Sequence, residues 1–183
     1  VRVLRSWPVL VPPEHARVED QFARVYVADF DYFPLGVPAA AGADILHLDW
    51  DTAVSPEDLD RFAARAREAP DRVLVAPMRE YPGGLHGTVR RALPRPVWNC
   101  RVYEGSATRY VTTADKFAHL FGFGMVYLPA KLVEAYCAEA AGAGEPFSDI
   151  GFSGWHHVQV EREARLCWDV SPVHVNYPAP GDL

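Results

Sequence analysis

Ile45-Leu46-His47-Leu48-Asp49-Trp50-Asp51-Thr52 is an apolar run that ends in two carboxylates one residue apart. Side chains of extended backbone alternate between faces, so Asp49 and Asp51 share one side and Trp50 takes the other. Two hard oxygen donors then converge where a buried strand runs out. That suits Mg²⁺ or Mn²⁺, which favour carboxylate, water and phosphate oxygens. Ser55-Pro56-Glu57-Asp58 follows at once and reads as a helix start. Ser55 is the expected N-cap, Pro56 the first helical residue, and the two acids suit the positive helix end.

Outward from this unit, apolar runs alternate with helical patterns, the signature of an α/β layer fold. Strands are expected at Val9-Val11, Arg24-Ala28, Ile45-Asp49 and Arg72-Ala76, with a short helix near Glu14-Phe22. A longer helix is expected from Pro56 to Glu68, where Leu59, Phe62, Ala63 and Ala66 recur at three- and four-residue steps to make one apolar face. Residues 77–96 crowd Pro77, Pro82, Gly83, Gly84, Gly87, Pro94 and Pro96 into one segment. A stretch of this kind is either a flexible wall beside a site or a surface excursion.

Beyond it, Val97-Tyr103 reads as a strand and Thr113 as the cap of a short helix to about Leu120. Phe121 to Pro129 reads as a glycine-kinked strand, followed by helices from Pro129 to about Ala141 and from near Asp149 to about Glu163. Gly122-Phe-Gly124 is no dinucleotide fingerprint, because the third glycine is missing and the pair precedes its strand. Its expected task is to let backbone approach a neighbour or a ligand closely.

A chain of 183 residues can bury a substantial core without metal or disulfides. Cys100, Cys137 and Cys167 are odd in number and lack zinc spacing, so reduced thiols are expected. No apolar run reaches membrane-spanning length, and the first residues lack the order of a signal peptide, so the expected location is cytoplasmic. A net charge of −6 argues against a generally basic nucleic-acid surface. Arg79, Arg90, Arg91, Arg95 and Arg101 nevertheless form a local basic strip that keeps DNA among the candidate partners.

Two further acidic pairs compete with Asp49 and Asp51. Asp58-Leu-Asp60 falls inside the predicted helix, where residues two apart do not face each other, and is read as solvated surface. Asp29-Phe-Asp31 follows the apolar run Val25-Tyr26-Val27 and is the stronger rival. Among the histidines, His156 and His157 are neighbours on a helix and point about 100° apart, so they do not readily share an ion. His47 shares the face of Asp49 as an auxiliary candidate, and His174 lies in a strand-like run.

Four pieces in this order resemble the GT-A glycosyltransferases: Asp49-Trp50-Asp51 after its strand, Gly122-Phe-Gly124 leading to Tyr127-Leu-Pro129, Ser148-Asp149 opening a helix, and a late His174. The resemblance implies one Rossmann-like domain over residues 1–183, with a mixed, mostly parallel sheet and helices on both faces. Residues 1–76 would form the nucleotide- and metal-binding half, 77–96 a flexible loop, and 97–183 the acceptor side. The donor would be a nucleotide-diphosphate sugar, with Mn²⁺ or Mg²⁺ as cofactor at Asp49, Asp51 and His174: Asp51 the direct ligand, Asp49 touching ribose or a metal-bound water, and His174 a metal ligand or a phosphate partner. Asp149 would be the catalytic base, inverting the anomeric centre, and Arg79 a second positive contact to the diphosphate. Asp29 or Asp31 would stand in for the residue that touches base or ribose, because few residues precede the metal strand. The acceptor would be a glycan, a lipid, a small molecule or hydroxymethylated DNA.

Two alternatives stand beside this reading. A haloacid-dehalogenase-type phosphohydrolase also starts with an Asp-x-Asp after an apolar strand, but it wants Thr or Val at the fourth residue after the first Asp. Here Thr52 is the third and Ala53 the fourth. The other alternative is a non-catalytic nucleotide-sugar-binding domain, favoured by the short stretch before the metal strand.

Overall fold

The computed structural model describes residues 2–6, 25–28, 44–48, 52–80, 97–143, 149–160 and 163–174. The expected strand at Val9-Val11, the helix near Glu14-Phe22 and most of the 77–96 segment lie outside them. In chain order the strands are β1 (Arg2–Ser6), β2 (Val25–Ala28), β3 (Ile45–Leu48), β4 (Thr52–Ala53), β5 (Leu74–Val75), β6 (Arg79–Glu80) and β7 (Val97–Trp98). They continue as β8 (Cys100–Glu104), β9 (Ala107–Tyr110), β10 (Phe117–Ala118), β11 (Leu120–Phe121), β12 (Met125–Leu128), β13 (Ala164–Leu166) and β14 (Val173–His174). The helices are α1 (Pro56–Glu68), α2 (Ala130–Ala143) and α3 (Asp149–Gln159).

A central sheet runs in the order β10-β13-β5-β12-β3-β1-β2. Its pairings divide evenly. β1 is parallel to β2 and β3, and β5 to β13. β12 is antiparallel to both β3 and β5, and β10 to β13. The smaller sheets β11-β8-β9, β14-β4 and β6-β7 are antiparallel throughout. The expectation of a mostly parallel sheet is therefore corrected: antiparallel pairings predominate among the described residues. The reason is β12, which enters the sheet from the opposite edge and lies between two strands that run the other way.

Alternation along the strands builds a core on each face. Ile45, Val75, Val126, Leu128 and Leu166 face Val133 and Tyr136 of α2 and Phe152 of α3. Leu46, Leu48, Leu74, Met125 and Tyr127 face Leu59, Phe62 and Ala66 of α1. Helices thus cover both faces, as expected.

Helix α1 starts as its sequence dictates. Ser55 is extended (φ −70°, ψ 152°) and its hydroxyl accepts the Asp58 N–H at 3.1 Å. The N-terminus of α2 is held from outside the helix, by Asp44 Oδ1 accepting the Ala130 N–H at 3.0 Å. The acid Asp58 is more than solvated surface, for its carboxylate accepts from Arg61 and from the Ser171 N–H.

Three local expectations are corrected. Asn99 interrupts the strand expected over Val97-Tyr103, splitting it into β7 and β8. The helix expected from Thr113 is a turn followed by two short strands. There Asp115 accepts the Thr112 N–H at 2.7 Å and takes two bonds from Arg109 at 2.8 and 2.9 Å, which holds the chain in a turn and leaves Phe117 and Ala118 to pair with β13. The last helix stops at Gln159, short of Glu163.

Candidate functional site at the carboxyl edge

Strands β1, β2, β3, β5 and β13 point the same way, so their carboxyl ends share one edge of the sheet. The chain moves from β1 to β2 on one side, then crosses to β3 on the other. Connections that leave neighbouring strands in opposite directions open a crevice, and open α/β sheets bind ligands there. Asp49 follows the last residue of β3, and Asp29 follows the last residue of β2. Asp29, Asp31, Asp49 and Asp51 themselves lie outside the described residues.

The other nominated residues are fixed in the backbone. β14 pairs with β4 so that His174 stands opposite Thr52, the residue after Asp51 in the chain. Arg79 stands opposite Trp98 in the β6-β7 pair, and β14 lies beside β6. His174, Thr52 and Arg79 therefore share one neighbourhood, although they are far apart in sequence. Asp149 is the first residue of α3. One turn further on, the Ser153 hydroxyl accepts the Phe121 N–H at 2.8 Å, which ties the start of that helix to the end of β11 and so to Gly122.

Beneath this edge is a buried polar joint that the sequence reading missed. Asn99 Oδ1 accepts the Met78 N–H at 2.9 Å. The Asn99 N–H donates to the Met78 carbonyl at 2.9 Å, and the Asn99 carbonyl accepts the Gly122 N–H at 3.0 Å. One residue thus couples the segment leading into β6 to the segment leading into β12. Its Nδ2 is buried and finds no partner among the described residues. The signal was present in the sequence: a lone Asn inside a run otherwise suited to a strand marks a place where backbone groups need a side-chain partner.

Gly124 belongs to the same joint. A Cβ there would come within 2.5 Å of Met78 Cε and 3.2 Å of Sδ, and Met78 is itself buried and accepts a contact from Thr52 Oγ1 at 3.5 Å. A side chain at Gly124 would thus have to displace the end of the Met78 thioether, so the close backbone approach there is toward a packing neighbour. At Gly122 the nearest atoms are 3.8 Å away, so no such need arises.

His47 is completely buried, and its Nδ1 lies 2.5 Å from the Phe123 carbonyl. A carbonyl only accepts, so Nδ1 carries the proton. Burial lowers the His47 pKa to about 3, against the opposing pull of that carbonyl. His47 braces the Gly122-Gly124 segment as a neutral imidazole. His156 is buried against Phe121 and Phe152, and burial followed by the charge of His157 lowers it to about 4.

Among the described residues no three His, Cys, Asp or Glu side chains gather where they could hold a metal. A shallow cavity of about 270 Å³, lined by Glu68, Ala69, Pro70, Asp71, Arg72 and Arg165, lies at the opposite, amino edge of the sheet. No helix among the described residues is long and apolar enough to cross a membrane.

No protein-family model matches the chain, and no curated protein matches its sequence. Among solved structures, the crystal structure of A197 from STIV is similar over 96% of this chain and 83% of that one, with a TM-score of 0.47 and 14% identity. The inositol-1-phosphate CTP transferase from T. maritima is similar over 100% of this chain and 72% of that one, with a TM-score of 0.46 and 11% identity. Both are loose likenesses of backbone.

Proposed function

We propose that this protein is a metal-dependent nucleotide-sugar transferase of the GT-A type, moving a sugar from a nucleotide diphosphate to an acceptor hydroxyl. The observation that carries the reading is the β4-β14 pairing, in which His174 stands opposite Thr52 immediately after Asp51. Two carboxylates and an imidazole make a donor set that suits Mn²⁺, with Mg²⁺ as the other choice. Such a cation, held by Asp49, Asp51 and His174, would neutralise the charge that collects on the departing diphosphate.

The chain's own residues do the rest. Arg79 adds a fixed positive charge toward the diphosphate, effective where water is excluded. Asp149, opening α3, accepts the proton of the incoming hydroxyl. Attack from the side opposite the leaving group inverts the anomeric carbon. Asp29 or Asp31, after β2, hydrogen-bonds the ribose or base.

Calorimetry with UDP- and GDP-sugars, with and without Mn²⁺, tests this directly. Binding is expected only with the metal, and Asp51→Ala should weaken it by about a hundredfold or more, since even partners one bond removed from a metal contribute ten- to a hundredfold. His174→Ala should weaken it in the same metal-dependent way. Absence of nucleotide binding under all conditions defeats the proposal, as does binding indifferent to Asp51.

A further inference from the structure

Asn99 stands where the β6-β7 ladder gives way to the β11-β8 ladder. One step beyond the Arg79–Trp98 pair, Met78 comes opposite Asn99, where two antiparallel residues would exchange a pair of backbone bonds. Half of that exchange is made, by the Asn99 N–H donating to the Met78 carbonyl at 2.9 Å. The Met78 N–H goes instead to the side-chain Oδ1, also at 2.9 Å, and the Asn99 carbonyl is released to accept the Gly122 N–H at 3.0 Å. The carboxamide stands in for a peptide carbonyl. Both backbone groups of Met78 are therefore held by Asn99.

The Met78 side chain is held as well. It is buried, the Thr52 hydroxyl donates to its Sδ at 3.5 Å, and its Cε occupies room that the absent side chain of Gly124 leaves. Met78 thus links two groups that are far apart in sequence. At its thioether is Thr52, which follows Asp51 and stands opposite His174. Along the backbone the next residue is Arg79. A cation and an arginine that meet one diphosphate need a set separation, and a misplacement of about 1 Å in such a group can cost about a hundredfold. One packed contact and one peptide step set it here.

We propose that Asn99 is a positioning residue for the diphosphate. By holding Met78 it keeps Arg79 in register with the β4-β14 pair, so that the β-phosphate meets cation and arginine together. This rests on the transferase reading above and adds a selectivity to it. A nucleoside monophosphate lacks the β-phosphate and needs no such alignment, so Asn99 serves diphosphates alone.

Calorimetry in Mn²⁺ with UDP against UMP, and GDP against GMP, tests this on the intact chain. The wild type should prefer the diphosphate of one pair. Asn99→Ala should lessen that preference by about tenfold, the lower range for a residue one bond removed from a binding group, while the monophosphate binds as before. Arg79→Ala should also lessen it. The Asn99→Ala/Arg79→Ala double variant should lose no more than Arg79→Ala, because residues that act through one another are not additive. Gly124→Ala presses on the Met78 thioether from the other side and removes none of the backbone bonds of Asn99. It should reduce the preference in the same sense, and so reports on the joint even where circular dichroism finds Asn99→Ala unfolded. Equal losses of mono- and diphosphate binding would make Asn99 a residue of the fold alone. An undiminished preference in Asn99→Ala, or additive losses in the double variant, would likewise overturn the positioning role and leave the transferase reading standing. No nucleotide binding by the wild type would remove both.

Discussion

His47 and His156 each hold a neutral imidazole inside the fold, with pKa values lowered to about 3 and about 4 from an ordinary 6.5. In the unfolded chain both take up a proton near 6.5, so the unfolded state binds more protons throughout the interval below that value. Their contribution to stability is therefore complete above pH 6.5 and declines as pH falls toward 4 and then 3. The slope approaches about 1.4 kcal/mol per pH unit for each histidine. Asp115 works lower on the scale: its bonds from Arg109 hold its carboxyl well below the usual range, so its contribution is lost only in stronger acid. Urea midpoints measured from pH 7.5 to 4.5 should fall steadily in the wild type. His47→Gln keeps a donor for the Phe123 carbonyl but cannot titrate. It should be less stable at neutral pH and show a slope smaller by one proton, and His156→Gln should do the same. A slope unchanged in both variants would mean that neither histidine is buried and neutral as described.

At the scale of elements, what could be read from sequence was what local chemistry determines. Ser55, Pro56 and the spacing of Leu59, Phe62 and Ala66 define α1 from within, and the helix observed is the helix expected. The short strands were illegible because their partners are distant: β6 needs β7 across residues 81–96, and β10 needs β13. Thr113 looked like a cap because nothing nearby in sequence announces that Arg109 takes Asp115 away. Asn99 is the case with a measurable consequence, since its side chain satisfies the buried Met78 N–H at the seam between two sheets. Asn99→Ala leaves that donor without its acceptor and should cost about 1–3 kcal/mol in urea denaturation. Hydrogen exchange localises the effect: the Met78 and Gly122 amides should exchange faster while those of α1 do not. Unaltered exchange at Met78 would remove Asn99 from its role as coupler of the two segments.

At the scale of the molecule, the even division of the central sheet's pairings still leaves five of its seven carboxyl ends on one edge, and the reversal between β1 and β3 was not legible in any single segment. Asp49 and Asp51 stood out because two acids after an apolar run are chemically conspicuous. That His174 pairs with Thr52 could not be read from sequence, because nothing local links a two-residue strand to a partner so far upstream. Two like charges held beside each other repel, and residues kept for binding commonly lower the stability of the unliganded fold. Asp51→Ala should therefore leave the ligand-free melting temperature unchanged or slightly raised. Mn²⁺ with a nucleotide diphosphate should act in the opposite sense on the wild type. A ligand that binds only the folded state adds about 2.7 kcal/mol at a hundredfold excess over its Kd. For a domain of this size that corresponds to a rise of about 5–10 °C. The rise should need both metal and nucleotide, be smaller with either alone, and vanish in Asp51→Ala. An equal rise in the variant would show that the stabilising ligand sits elsewhere, and a large fall in the variant's own melting temperature would show that Asp51 serves the fold.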